Sequence, residues 1–153
     1  MKVELSETAD FRTVPGDRRL FRLLSNFVFW VDSVPFVIPA GFVTDFASVP
    51  KFAEGIISNN EPQILRAALA HDWLYQSGGK PTPDIMFTRS EADEILREGM
   101  RSIGASFAKR WLVWVSVRVG GVGSWNPHVL TMRALTLRTK IRRATTLNTK
   151  PEK

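Results

Sequence analysis

The sequence predicts an α+β fold, a small N-terminal antiparallel β-sheet followed by three or more α-helices. The first half is rich in aromatic and branched residues cut by Pro and Gly. The second half carries apolar residues at helical spacing. The two patterns follow one another and do not alternate, as they would around a parallel sheet.

In the β half, Arg19 to Val31 is the longest strand-like run, with Ser25-Asn26 as a turn or bulge and Asp32-Ser33 as its end. Phe36-Val37-Ile38 and Gly41-Phe42-Val43-Thr44 are shorter runs bounded by Pro35, Pro39 and Gly41, which confine such strands to edges or ends. In the α half, Glu61-Pro62 opens a helix whose apolar spacing runs from Ile64 to Gln76, and Ser77-Gly78-Gly79 stops it. Thr88-Arg89-Ser90-Glu91 has the form of a capping box. The helix it starts carries Ala92, Ile95, Leu96, Met100 and Ile103 on one stripe and ends at Gly104. A third helix runs from about Ser106 to Val119 before Gly120-Gly121. Thr131 to Thr145 has the pattern of a further, basic helix.

A length of 153 residues with 44% apolar content suits one domain with one core, placed at 1–125, and a basic C-terminal extension at 126–153, partly helical or disordered. The absence of cysteine excludes disulfides, thiolate metal sites and a Cys nucleophile. No HExxH, P-loop or GxGxxG occurs. The formal charge of +6 is concentrated in the extension, where Arg133, Arg138, Lys140, Arg142 and Arg143 have no acidic neighbour. A solvated tail explains this without a nucleic-acid partner. The N-terminus lacks the apolar stretch of a signal peptide. The apolar run Trp111 to Val117, bracketed by Arg110 and Arg118, falls far short of the ~20 residues that span a bilayer. Neither an export signal nor a transmembrane segment is expected.

The chemistry concentrates on one helix. At 100° per residue Ile64, Ala68, His71 and Tyr75 share a face, with Asp72 on its edge. A carboxylate aimed into an apolar side needs a cation, a metal or several donors. Asp93 borders the apolar stripe of the next helix, while Glu94 and Glu98 are expected to face solvent. Two antiparallel helices would set Asp93 against His71, fixing one ring nitrogen and leaving the other as a base. The competing reading is a satisfied core histidine in a buried polar network. A second cluster, Gly41 to Pro50, reads either as a strand end followed by an Asp/Ser turn or as a loop over this site. On the second reading Asp45 would help to hold a cation and Ser48 and Thr44 would bind substrate. A Ser48-His71-Asp93 triad lacks the GxSxG elbow. The Trp-rich third helix reads as core or interface, or as a membrane-surface face flanked by Lys109, Arg110 and Arg118.

Two resemblances enter here. AGFVTDFASVP, RAALAHDWLYQ, RSEADEILREGM and KRWLVWVSVRVGG, in that order, resemble an uncharacterised protein family of tailed phages and prophages. This implies synthesis in a bacterial host cytoplasm, with incorporation into the virion as one fate. HDxxY on one helix with an acidic residue on the next is similar to the catalytic helices of compact phospholipase A2 enzymes. That resemblance implies catalytic roles for His71, Asp93 and Tyr75, calcium held by Asp72, and a phospholipid or membrane-surface partner. The expected function is therefore a calcium-assisted lipid ester hydrolase acting on the host envelope. The rivals are a non-enzymatic virion or tail-associated protein that docks onto other virion proteins, and a metal-dependent cell-wall hydrolase. The oligomeric state is left open.

Overall fold

A computed structural model describes residues 1–46, 64–121 and Trp125. Six strands, β1 (Val3–Leu5), β2 (Phe11–Val14), β3 (Asp17–Leu23), β4 (Phe27–Val31), β5 (Val34–Ile38) and β6 (Val43–Thr44), precede three helices, α1 (Ile64–Gln76), α2 (Arg89–Ser102) and α3 (Phe107–Gly120). The arrangement is α+β, as the order of patterns predicts.

The expected single sheet is two three-stranded antiparallel sheets, ordered β1-β4-β5 and β2-β3-β6. The run from Arg19 to Val31 supplies the centre of both, and it divides at Ser25-Asn26. There the Asn26 side chain accepts a hydrogen bond from the Ala40 amide at 2.8 Å and ties the break to the end of β5. Strands β1 and β2 carry little apolar periodicity of their own. They form because β4 and β3 offer them unpaired edges. Pro35 sits in β5, an edge strand, where its missing N–H costs the ladder nothing. Asp32 and Ser33, both with positive φ (48° and 71°), close β4 onto β5 in a two-residue turn whose twist suits a hairpin.

Strand β4 buries Phe27, Phe29 and Val31 on one face, in a core that includes Leu69, Ala70 and Leu74 of α1. A second cluster joins the three helices through Ile64, Ala67, Leu96, Met100, Val113 and Val117. Helix α1 is small where it meets α2: a Cβ on Gly99 would lie 3.3 Å from that of Ala67, so the two backbones approach closely. Ala67 faces Gly99 near one end and His71 faces Asp93 near the other, so the helices run antiparallel. The capping box is present: the Thr88 hydroxyl accepts from the Glu91 amide, and the Glu91 carboxylate accepts from the Thr88 amide. Its position fixes where α2 begins, and hence which residue of α2 stands opposite His71.

Glu94 and Glu98 do not stand free in solvent. Both are half-buried and paired with Arg97, whose guanidinium lies over Trp111. Among the described residues no helix is long and apolar enough to cross a membrane. The opening of the first helix at Glu61-Pro62, the basic segment Thr131 to Thr145 and the extension at 126–153 lie outside the described residues.

Candidate functional site

Helix α1 brings His71, Asp72 and Tyr75 to its buried side, and α2 brings Asp93 to meet them. His71 and Asp93 have no exposed surface, and Asp72 and Tyr75 are nearly as closed. Nε2 of His71 donates to Oδ1 of Asp93 at 2.9 Å. The Tyr75 hydroxyl donates to the same oxygen at 2.5 Å. The imidazole and phenol rings lie with their centroids 4.2 Å apart. One helical turn separates His71 from Tyr75, which is why both reach a single carboxylate.

The other oxygen of Asp93 is held from a third element. Nη1 of Arg118, near the end of α3, donates to Oδ2 at 3.0 Å. Arg89, one turn before Asp93, donates from Nε to the Tyr75 hydroxyl at 3.2 Å and from Nη2 to the carbonyls of Val117 and Arg118. Its positive charge thus sits at the negative end of α3 and fixes that end beside the site. Neither arginine stands out in the sequence as a member of the site. Arg89 is detectable by its spacing of four from Asp93. Arg118 sits among apolar residues that read as a plain buried or interfacial helix.

Asp72 looks the other way along α1. Its Oδ2 accepts from the Thr44 hydroxyl at 2.5 Å, and that hydroxyl in turn accepts from the Phe46 amide at 3.0 Å. Thr44 is therefore committed to Asp72 and is wholly buried. In this position it supports the carboxylate. Asp45, the residue after Thr44, is exposed, whereas Asp72 is buried. Ser48 lies outside the described residues.

Among the described residues, two polar atoms at the centre of this network have no hydrogen-bond partner: Nδ1 of His71 and Oδ1 of Asp72. They stand 3.8 Å apart, so the carboxylate acts on the ring through its charge and not through a hydrogen bond. Burial opposes a charge on the imidazole, but Asp72 and Asp93 on its two sides outweigh it and hold the His71 pKa above its ordinary 6.5. For Asp93, burial favours the neutral acid. The donors His71, Tyr75 and Arg118 prevail, and its pKa falls below the ordinary 3.8. Burial, then the adjacent Asp93 carboxylate, push the Tyr75 phenol upward against the opposing pull of Arg89, so it stays protonated and a donor.

The chemistry this arrangement offers is that of an imidazole fixed in one tautomer. With Nε2–H engaged on Asp93, a neutral ring carries its lone pair on Nδ1, the unpartnered nitrogen. A calcium ion fits the donor set poorly. Such an ion takes six to eight oxygens, and the described residues hold no group of three or more His, Asp or Glu side chains suited to a metal. Among the described residues, Asp72 Oδ1 is the one carboxylate oxygen of the cluster left for it.

No curated protein and no solved structure matches the chain. A family model does. It covers residues 21–117, from β3 through most of α3, and so takes in Thr44, His71, Asp72, Tyr75 and Asp93. By that match the chain belongs to DUF1353, a family of proteins of unknown function.

Proposed function

We infer that the protein hydrolyses an ester bond with His71 as general base, and that its substrate is a phospholipid of the bacterial envelope encountered by a phage. One observation carries the reading: the ring is anchored through Nε2 on Asp93, while among the described residues Nδ1 has no partner and stands beside an equally unpartnered oxygen of Asp72. Buried polar atoms are seldom left without partners, and two side by side suit a third party such as a water molecule.

In this scheme Nδ1 takes a proton from water as its oxygen attacks the ester carbonyl. The imidazolium that forms is stabilised by Asp93 and Asp72. It then returns the proton to the departing alkoxide, and the acid and alcohol leave. Tyr75 and Arg118 hold Asp93 so that it stays ionised and does not rotate away. The similarity to phospholipase A2 helices would assign Asp72 to calcium, an ion that this donor set fits poorly. Asp72 offers it a single oxygen, and no step is derived through the ion. The phage setting rests on the four ordered sequence motifs alone.

Complete burial of His71 favours a second reading, a virion or tail-associated protein in which the cluster only locks three helices together. Hydrolysis of mixed phospholipid vesicles separates the two. The expected result is release of fatty acid by the wild-type protein, measured with calcium and with chelator, and its loss in a folded His71→Ala variant. Absence of release in both conditions, with His71→Ala only lowering stability, would leave the structural role.

A further inference from the structure

Helix α3 is inverted with respect to water. Phe107, Leu112, Val115 and Val119 are 68%, 40%, 48% and 75% exposed, and the helix's other exposed residues are Ala108 and Gly120. None of its exposed residues is polar. Its polar side chains, Lys109, Arg110, Ser116 and Arg118, are all half-buried. Phe107, Trp111, Val115 and Val119 recur every fourth residue along one side, with Ala108 and Leu112 beside them, so the exposed groups form one continuous stripe. A surface helix ordinarily turns the opposite face outward, and a contiguous apolar face of this kind marks a contact surface.

Charge indicates what would cover it. The helix contains no acidic residue. Guanidinium groups stand at its aromatic rings: Arg110 lies 5.8 Å from Phe107, while Arg97, 4.7 Å from Trp111, and Arg118, 5.9 Å from Trp114, are paired with Glu94 and Glu98 and with Asp93. The nearby acids Glu94 and Glu98 are already paired with Arg97 and Arg101. The sequence beyond the helix continues with Arg133, Arg138, Lys140, Arg142 and Arg143, in a chain of formal charge +6. Apolar stripe, tryptophan and basic rim together suit an anionic lipid surface. At 14 residues the helix is too short to span a bilayer, so it would lie in the plane of the interface.

We propose that the exposed face of α3 seats the protein on anionic membranes, with Phe107, Leu112, Val115 and Val119 entering the acyl boundary and Arg110 at the lipid phosphates. The end of the same helix places Arg118 on Asp93, so the docked protein carries its candidate site close to lipid. Docking itself requires no hydrolysis and does not depend on the ester-hydrolase reading.

The test is co-sedimentation of the full chain with vesicles of phosphatidylglycerol and phosphatidylcholine, against phosphatidylcholine alone. Binding about tenfold stronger to the anionic vesicles is expected. Val115→Asp with Val119→Asp should reduce that binding about tenfold while circular dichroism and thermal midpoint stay unchanged. His71→Ala should bind as the wild type does, which keeps a failure of docking distinct from a failure of catalysis. Three results would overturn the proposal. One is no binding to either vesicle. Another is anionic binding that survives the double substitution, which would assign it to the basic extension. The third is a concentration-dependent dimer that the double substitution abolishes without any vesicle binding, which would make a second copy the occupant.

Discussion

Arg118 donates to Oδ2 of Asp93 at 3.0 Å, on the oxygen opposite the one shared by His71 and Tyr75. The contact closes a network across α1, α2 and α3 around one fully buried carboxylate. Removing one partner of such a buried set costs more than the set contributes, because the remaining charges are left uncompensated. Asp93→Asn is therefore expected to destabilise the fold by about 3–5 kcal/mol, read from the shift of a urea unfolding midpoint at constant m. A loss below about 1 kcal/mol, the size of a surface pair, would mean that the network does not bear on stability.

The pH dependence of stability follows from the same atoms. The His71 pKa is raised above 6.5 in the folded state, so its contribution is fully present below 6.5 and is lost as pH rises through the folded value. The Asp93 pKa is lowered below 3.8, so its contribution is present above 3.8 and is lost as pH falls through the folded value. The thermal midpoint should decline on both sides of that window, and His71→Ala should flatten the alkaline decline. Hydrolysis should move oppositely over the alkaline limb, since only the neutral ring takes a proton. A rate that falls as pH rises there would remove His71 as the base.

Thr44→Val keeps the side-chain volume but removes the hydroxyl that donates to Asp72 Oδ2. It leaves a buried carboxylate with no hydrogen bond among the described residues, at an expected cost of about 1–3 kcal/mol. Thr44→Ser should recover most of that loss. Equal stability of Thr44→Val and wild type in chemical denaturation would contradict the contact.

Gly78 and Gly79 follow α1 with φ of +63° and +80°. A Cβ at Gly78 meets nothing within 4 Å, whereas one at Gly79 would fall 2.0 Å from the Phe87 carbonyl oxygen. Gly78→Ala should cost about 1 kcal/mol from backbone strain alone. Gly79→Ala should cost clearly more, because the loop that leads into the Thr88 cap must move. Comparison of the two unfolding midpoints isolates the steric contribution.

Features that depend on neighbours along the chain were legible before the fold. The spacing of Ile64, Ala68, His71 and Tyr75 put the histidine on the inner face of α1, and Thr88 and Glu91 placed the start of α2. These are local, since helical period and capping act within about one turn. Asp93 was legible as the partner of His71 because both border the apolar stripes of successive helices. Tertiary structure decided the rest. It divided the Arg19 to Val31 run between two sheets, and it recruited the weakly patterned β1 and β2 as edge partners. It turned Thr44 toward Asp72 and Asp45 outward, and it brought Arg118 from 25 residues away onto Asp93. It also left the apolar side of α3 exposed, where apolar periodicity alone could not distinguish a face that meets the core from one that meets something outside the fold. A pattern in sequence records that a side chain avoids water; only the packing of distant segments fixes what it meets instead.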